Sequence, residues 1–189
     1  MYKEKIFAIP ELIGISEKNV HEHIKLYQGY VKNTNMILDT LAGSDGSDYE
    51  RAELQRRLSF EFNGMKNHEY YFASLEGGSA SLTTGGPLAK KIDEDFGSFD
   101  DWMNRIKAIA KTRGIGWAVL GYDAEHDMLV NYWVEEQHWG HLNSVQYIIG
   151  IDMWEHAFVA DYQPSGKGDY INDYFKNVNW KIVEKNFTA

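Results

Sequence analysis

A chain of 189 residues, 43% hydrophobic and 14% aromatic, can bury a sizeable core as one domain or two closely packed small ones. It has no cysteine, which removes disulfides, thiolate nucleophiles, zinc ribbons and iron–sulfur clusters and leaves His, Asp and Glu as the strong metal ligands. A formal charge of −9 argues against nucleic acid as a partner, and the absence of any run of about eighteen apolar residues argues against a membrane span.

Met1-Tyr2-Lys3-Glu4-Lys5-Ile6-Phe7 carries charges where a signal peptide would be apolar, so the expected location is cytoplasmic. Ser16 fits a helix N-cap, and Val20, His23, Ile24, Tyr27, Tyr30, Val31 and Thr34 follow at helical spacing. A second periodic segment runs from about Tyr49 to Leu75, and the two together predict a helical hairpin. Gly77 to Pro87 is small and turn-prone and reads as a linker or long loop, which predicts an α-hairpin domain over 1–84 and an α/β domain over 85–189. In the second half, Pro87–Phe96 and Phe99–Thr112 read as helices. Gly116–Tyr122 and Met128–Val134 read as strands of a hairpin turning at Asp123 to Asp127. A third strand ends at Asp152, and helix resumes around Asp169–Lys176.

The stretch Asp152-Met153-Trp154-Glu155-His156-Ala157-Phe158 follows the apolar run Val145 to Ile151 and sets a carboxylate and an imidazole four positions apart. A buried Asp or His must be paired, hydrogen-bonded or metal-bound, because leaving even a neutral polar group bare costs about 2–7 kcal/mol. The further ligands expected are His23 and His68. His23 lies on the apolar stripe of the first helix, whereas His21, roughly 200° around the helix from it, does not. His68 is embedded among aromatics. His126 sits in the hairpin turn, and His138 and His141 read as residues of a polar loop. One buried histidine is more often a satisfied core residue than a ligand, but four such groups in a chain with no other candidate site favour a shared metal.

The Asp152–Phe158 block closely resembles the D-x-W-E-H-A-Y signature of the iron/manganese superoxide dismutases. The resemblance covers nearly the whole chain. His23 and Tyr30-Val31-Lys32-Asn33 match landmarks of the family's first helix, and Asn67-His68 matches the N-H of its second. Gly97-Ser98-Phe99, Gly116-Trp117-Ala118-Val119-Leu120 and Val178-Asn179-Trp180 are similar to the G-S-[FW], G-W-x-W-L and V-x-N-W motifs. The resemblance implies an α+β fold: an N-terminal helical hairpin, then an α/β domain with a three-stranded antiparallel sheet. It implies His23, His68, Asp152 and His156 as ligands to one manganese ion per subunit, with iron as the alternative, and superoxide as substrate. Three imidazoles and one carboxylate are hard N/O ligands that suit either metal.

The same resemblance assigns further roles. Gln137, paired with Gly64 at the helical position, resembles the manganese-type arrangement in which a glutamine from the sheet hydrogen-bonds metal-bound solvent. Tyr30 corresponds to the gateway tyrosine, Trp117 and Trp154 to pocket walls, and Glu155 to a carboxylate reaching the partner's site in a homodimer or homotetramer. Three departures stand out. Tyr30 follows His23 by seven residues rather than the usual eight, with Leu26-Tyr27 where a histidine is usual. Seven residues turn roughly 700°, almost two full turns, so a regular helix aligns the pair and no π-bulge is expected. Phe158-Val159 replaces Tyr-Tyr, and Lys167 stands where an arginine usually guides the anion. The competing functions are a catalytically silent structural or binding subunit of this fold and a non-haem iron oxygenase. A carboxylate-bridged di-iron protein would need two Glu-x-x-His pairs on helices, and Glu135 with His138 is the one such pair, in a loop.

Overall fold

The computed structural model describes residues 1–43 and 45–187. Two 26-residue helices, α1 (Glu17–Ala42) and α2 (Asp48–Ala73), form the N-terminal hairpin. Ser16 caps α1 by accepting from the Asn19 amide at 3.2 Å, as its position ahead of the apolar stripe predicts. α2 starts with a capping box, in which Ser47 and Glu50 satisfy each other's backbone amides. The helices run antiparallel: His23 meets His68 and Phe72, Tyr30 meets Gly64, and Asn33 meets Glu61. α1 is continuous α-helix through the His23–Tyr30 interval, with no π-turn, and it runs on past Thr34 to Ala42.

α1 and α2 approach closely at Gly64. A Cβ there would sit 2.5 Å from Cδ1 of Tyr30, so glycine is what lets the phenol ring lie across α2. An extended N-terminal segment straps the pair: the Lys5 amide donates to the Tyr27 hydroxyl at 2.8 Å, and Ile13 exchanges two bonds with the Asn177 side chain. Tyr27 is therefore a strap contact.

In the second half, α3 (Pro87–Phe96) begins with proline in its first turn and ends at Gly97, whose φ of 95° stops the helix. α4 (Phe99–Ala110) is capped by Ser98 and ends two residues before the expected Thr112. There Thr112 N turns back to Ile109 O at 2.9 Å in a tighter turn. The sheet has strand order β2-β1-β3, all antiparallel, from β1 (Gly116–Asp123), β2 (Met128–Glu135) and β3 (Gln146–Asp152). The central strand β1 is buried on both faces, as its unbroken apolar run requires. Its register sets Trp117 opposite Asp152. A 3-10 turn at Glu155–Ala157, the short α5 (Val159–Tyr162), α6 (Lys167–Asn177) and α7 (Trp180–Val183) complete the fold. Among the described residues, no helix is long and apolar enough to cross a membrane.

Candidate metal centre

Three imidazoles, each from a different element, converge on one carboxylate oxygen. Nε2 of His23 (α1) lies 3.1 Å, Nε2 of His156 (the turn after β3) 3.2 Å and Nε2 of His68 (α2) 3.5 Å from Oδ2 of Asp152, at the end of β3. The four potential ligand atoms all lie within 4.8 Å of one another. His23, His68 and Asp152 are buried, and His156 is partly exposed. Convergence of this kind is costly unless a cation occupies the centre, because the same carboxylate oxygen cannot receive three good hydrogen bonds from rings that are also buried. His68 makes the point directly: its Nε2 is buried without a hydrogen-bond partner. The donor set, three nitrogens and one oxygen with no sulfur, suits a manganese or iron ion.

Protonation states follow from the surroundings. Nδ1 of His68 donates to the Gly64 carbonyl at 2.6 Å, which leaves the lone pair on Nε2 facing the cluster. Burial, with the neighbouring His23 adding to it, pushes the His68 imidazole down to about 3, so it is neutral at ordinary pH. Burial also lowers His23, partly offset by Asp152. Burial alone would raise the Asp152 carboxyl, but the charge and hydrogen bonds of His156 and His23 hold it below the usual carboxylate range. Oδ1 of Asp152 accepts from the Trp154 amide at 2.8 Å, and its backbone carbonyl accepts from the Tyr170 hydroxyl at 2.9 Å. The ligand is thus fixed from behind as well as in front.

Around this cluster runs a second set of bonds. Glu136 has a φ of 52°, in the left-handed region, and this turn after β2 directs Gln137 inward, where it is fully buried. Trp117 Nε1 donates to Gln137 Oε1 at 3.0 Å, which fixes the amide orientation and leaves Nε2 to donate to the Tyr30 hydroxyl at 3.0 Å. The Gln137 carbonyl accepts from Asn67 Nδ2, tying the loop to α2. Burial raises the Tyr30 phenol above its ordinary value, and the Asp152 charge raises it further. Trp117 packs edge-on to His68 with centroids 5.0 Å apart, and Trp154 stacks on His156 at 5.7 Å.

The four expected ligands come together, with Tyr30, Trp117, Gln137 and Trp154 beside them, and Glu155 is exposed next to His156. Lys167 donates to the Thr112 carbonyl at 2.7 Å, just past the end of α4. His21 and His126 are exposed, as their positions predict. His138 departs from the expectation of an ordinary loop residue: its ring packs on Phe60 at 5.6 Å and its Nδ1 is buried without a partner. Sequence reasoning also passed over Arg57, Phe60, Tyr71 and Tyr170. A signal for the first two was available, since Arg57, Phe60, Gly64 and His68 recur at helical spacing along one stripe of α2.

The family described as iron/manganese superoxide dismutases, C-terminal domain, matches residues 84–186. The chain is 34% identical over 183 residues to the superoxide dismutase [Mn] of Mycobacterium leprae, covering 95% of this chain and 86% of that protein. It is likewise 34% identical over 185 residues to the superoxide dismutase [Fe] of Aquifex pyrophilus, covering 93% of this chain and 85% of the relative. A manganese-named and an iron-named relative are equally similar, so identity to these two does not choose the metal. The chain belongs to the iron/manganese superoxide dismutase family.

Proposed function

We propose that the chain disproportionates superoxide to O₂ and hydrogen peroxide with one manganese or iron ion held by His23, His68, Asp152 and His156. The observation that carries this is the convergence of three imidazole Nε2 atoms on Asp152 Oδ2, with His68 Nε2 left without any other partner. When bound, the metal supplies the electron exchange, taking an electron from one superoxide and giving one to the next. The chain's own residues supply orientation and protons. Tyr30 accepts from Gln137, so its own hydrogen is free for the pocket, and its raised pKa keeps the phenol protonated and able to donate. Trp117 holds Gln137 in the orientation that makes this possible, and Trp117 and Trp154 wall the cluster.

Manganese is the proposed metal. The support is that the sheet-side Gln137 reaches the site while α2 presents glycine at position 64. Loading the metal-free chain separately with each metal and measuring superoxide consumption tests both statements: the manganese form is expected to be markedly more active. A more active iron form would overturn the metal choice, and inactivity of both would overturn the reaction.

A homodimer or homotetramer is proposed with it, in which Glu155 reaches the partner's site. The support is an exposed carboxylate beside His156, in a cleft also lined by Lys18, Asn19, Glu22 and Val159. The proposed domain division at 84/85 is supported by the end of α2 at Ala73 and the family match beginning at residue 84.

A further inference from the structure

Superoxide is an anion and the chain carries a formal charge of −9, so approach to the cluster needs a local positive potential. Lys167 keeps its charge but donates to the Thr112 carbonyl just past the end of α4, and Arg56 is paired with Glu53 through its Nε at 2.9 Å on the exposed face of α2. Arg57 differs from both. Its guanidinium carbon lies 3.8 Å above the centre of the Phe60 ring. Phe60 in turn is 6.0 Å from Tyr30, 5.6 Å from His138 and 6.5 Å from Trp154, so the ring is a wall shared by the residues around the cluster.

Arg57 also pairs with Glu61, Nε to Oε1 at 3.0 Å, and Glu61 accepts from Asn33 of α1 at 3.3 Å. That pair would cancel to nothing if both charges were equally accessible, but they are not. The Arg57 side chain is 47% exposed and Glu61 6%, so the pair presents its positive end to solvent and keeps its negative end beneath. At the Tyr30 phenol itself the two act with opposite sign and Glu61 the more strongly, so it is at the exposed guanidinium, not at the phenol, that the pair is positive. At physiological salt the Debye length is about 8 Å, so a cation on the wall that Tyr30 shares outweighs distant acidic residues for an incoming anion.

We propose that Arg57, stacked on Phe60 and tethered by Glu61, is the positioning residue that draws the anionic substrate to the Tyr30 side of the metal centre. The proposal rests on the dismutase reading, and its test separates the two. Arg57→Gln, Arg57→Lys and Glu61→Gln are compared with the unaltered, metal-loaded protein at equal metal content. kcat/KM for superoxide is measured against ionic strength, and azide affinity is measured by the metal's absorption.

Arg57→Gln should lower kcat/KM about threefold or more at low salt with kcat changed less, and should make its salt dependence less negative. Glu61→Gln should do the reverse, raising kcat/KM at low salt and steepening the fall with salt, and Arg57→Lys should keep most of the unaltered behaviour. Azide should bind more weakly to Arg57→Gln and more tightly to Glu61→Gln. A purely structural pair would give losses of the same sign in both variants. Glu61→Gln removes the buried charge, so it remains informative where Arg57→Gln folds poorly. Equal salt slopes and equal azide affinities across the set overturn the proposal. Absence of dismutase activity in the unaltered protein overturns the dismutase reading instead, and azide affinity then still decides the role of Arg57.

Discussion

The Gln137 side-chain amide donates to the Tyr30 hydroxyl at 3.0 Å, joining residues 107 positions apart, one on the first helix and one just after the second strand. The bond has one orientation only, because Trp117 occupies the amide oxygen. Gln137→Leu should therefore keep its metal but lose most dismutase activity, as Tyr30 loses its partner. It should also destabilise the fold by about 1–3 kcal/mol, since Trp117 Nε1 would be buried without an acceptor. Steady-state rates with elemental analysis check the first statement and urea titration the second. An unchanged rate would remove Gln137 from the reaction.

Gly64 makes a second prediction. Alanine there sets its Cβ 2.5 Å from the Tyr30 ring, so either the phenol or α2 must move. Overpacking of this kind costs about 1–3 kcal/mol. Gly64→Ala should lower the melting temperature and weaken activity together, with metal still bound, and calorimetry beside a rate assay reads both.

The metal-free protein should be acid-sensitive in a defined direction. Burial lowers the folded-state pKa of His68 from 6.5 to about 3, so between those values the unfolded chain binds more protons than the folded one. The stability is present above about 6.5 and is lost as pH falls toward 3. The depressed carboxyl of Asp152 adds a loss of the same sign, beginning near the unfolded carboxylate value of about 3.9. Urea midpoints of metal-free protein should fall steadily from pH 7 to pH 4, and less steeply in His68→Gln. A flat profile would show that these rings are not buried neutral.

Glu155→Ala tests the proposed assembly. If this carboxylate reaches the partner's His156, its loss should weaken self-association and metal retention together. Sedimentation and metal content report the two separately. Unaltered protein running as a monomer at micromolar concentration would defeat the idea.

Much of this was legible in the sequence because the features are local. The Ser16 cap, the stripe that separates His23 from His21, the hairpin turn at Asp123 to Asp127 and the Asp152–His156 spacing each depend on a few neighbouring residues. The seven-residue interval from His23 to Tyr30 likewise fixed a regular helix, and α1 is regular. What escaped depends on contacts between distant segments. The bond from Lys167 to the Thr112 carbonyl spans 55 residues, and nothing next to either one announces it. His138 reads as a loop residue until α2 brings Phe60 beneath it. Lys91 sits mid-helix in α3, and nothing nearby in sequence says that Asp127 of the β1–β2 turn will join Glu94 and Asp95 in surrounding its ammonium. The short α5 and the 3-10 turns carry too few residues to make a periodic pattern.

The central claim is that four side chains hold one ion, and metal content per chain tests it most directly. Purified unaltered protein and His21→Ala should each carry about one manganese or iron ion per chain, whereas His23→Ala should carry essentially none and unfold at lower temperature, because binding to the folded state adds to folding stability. Full metal occupancy in His23→Ala would contradict the assignment.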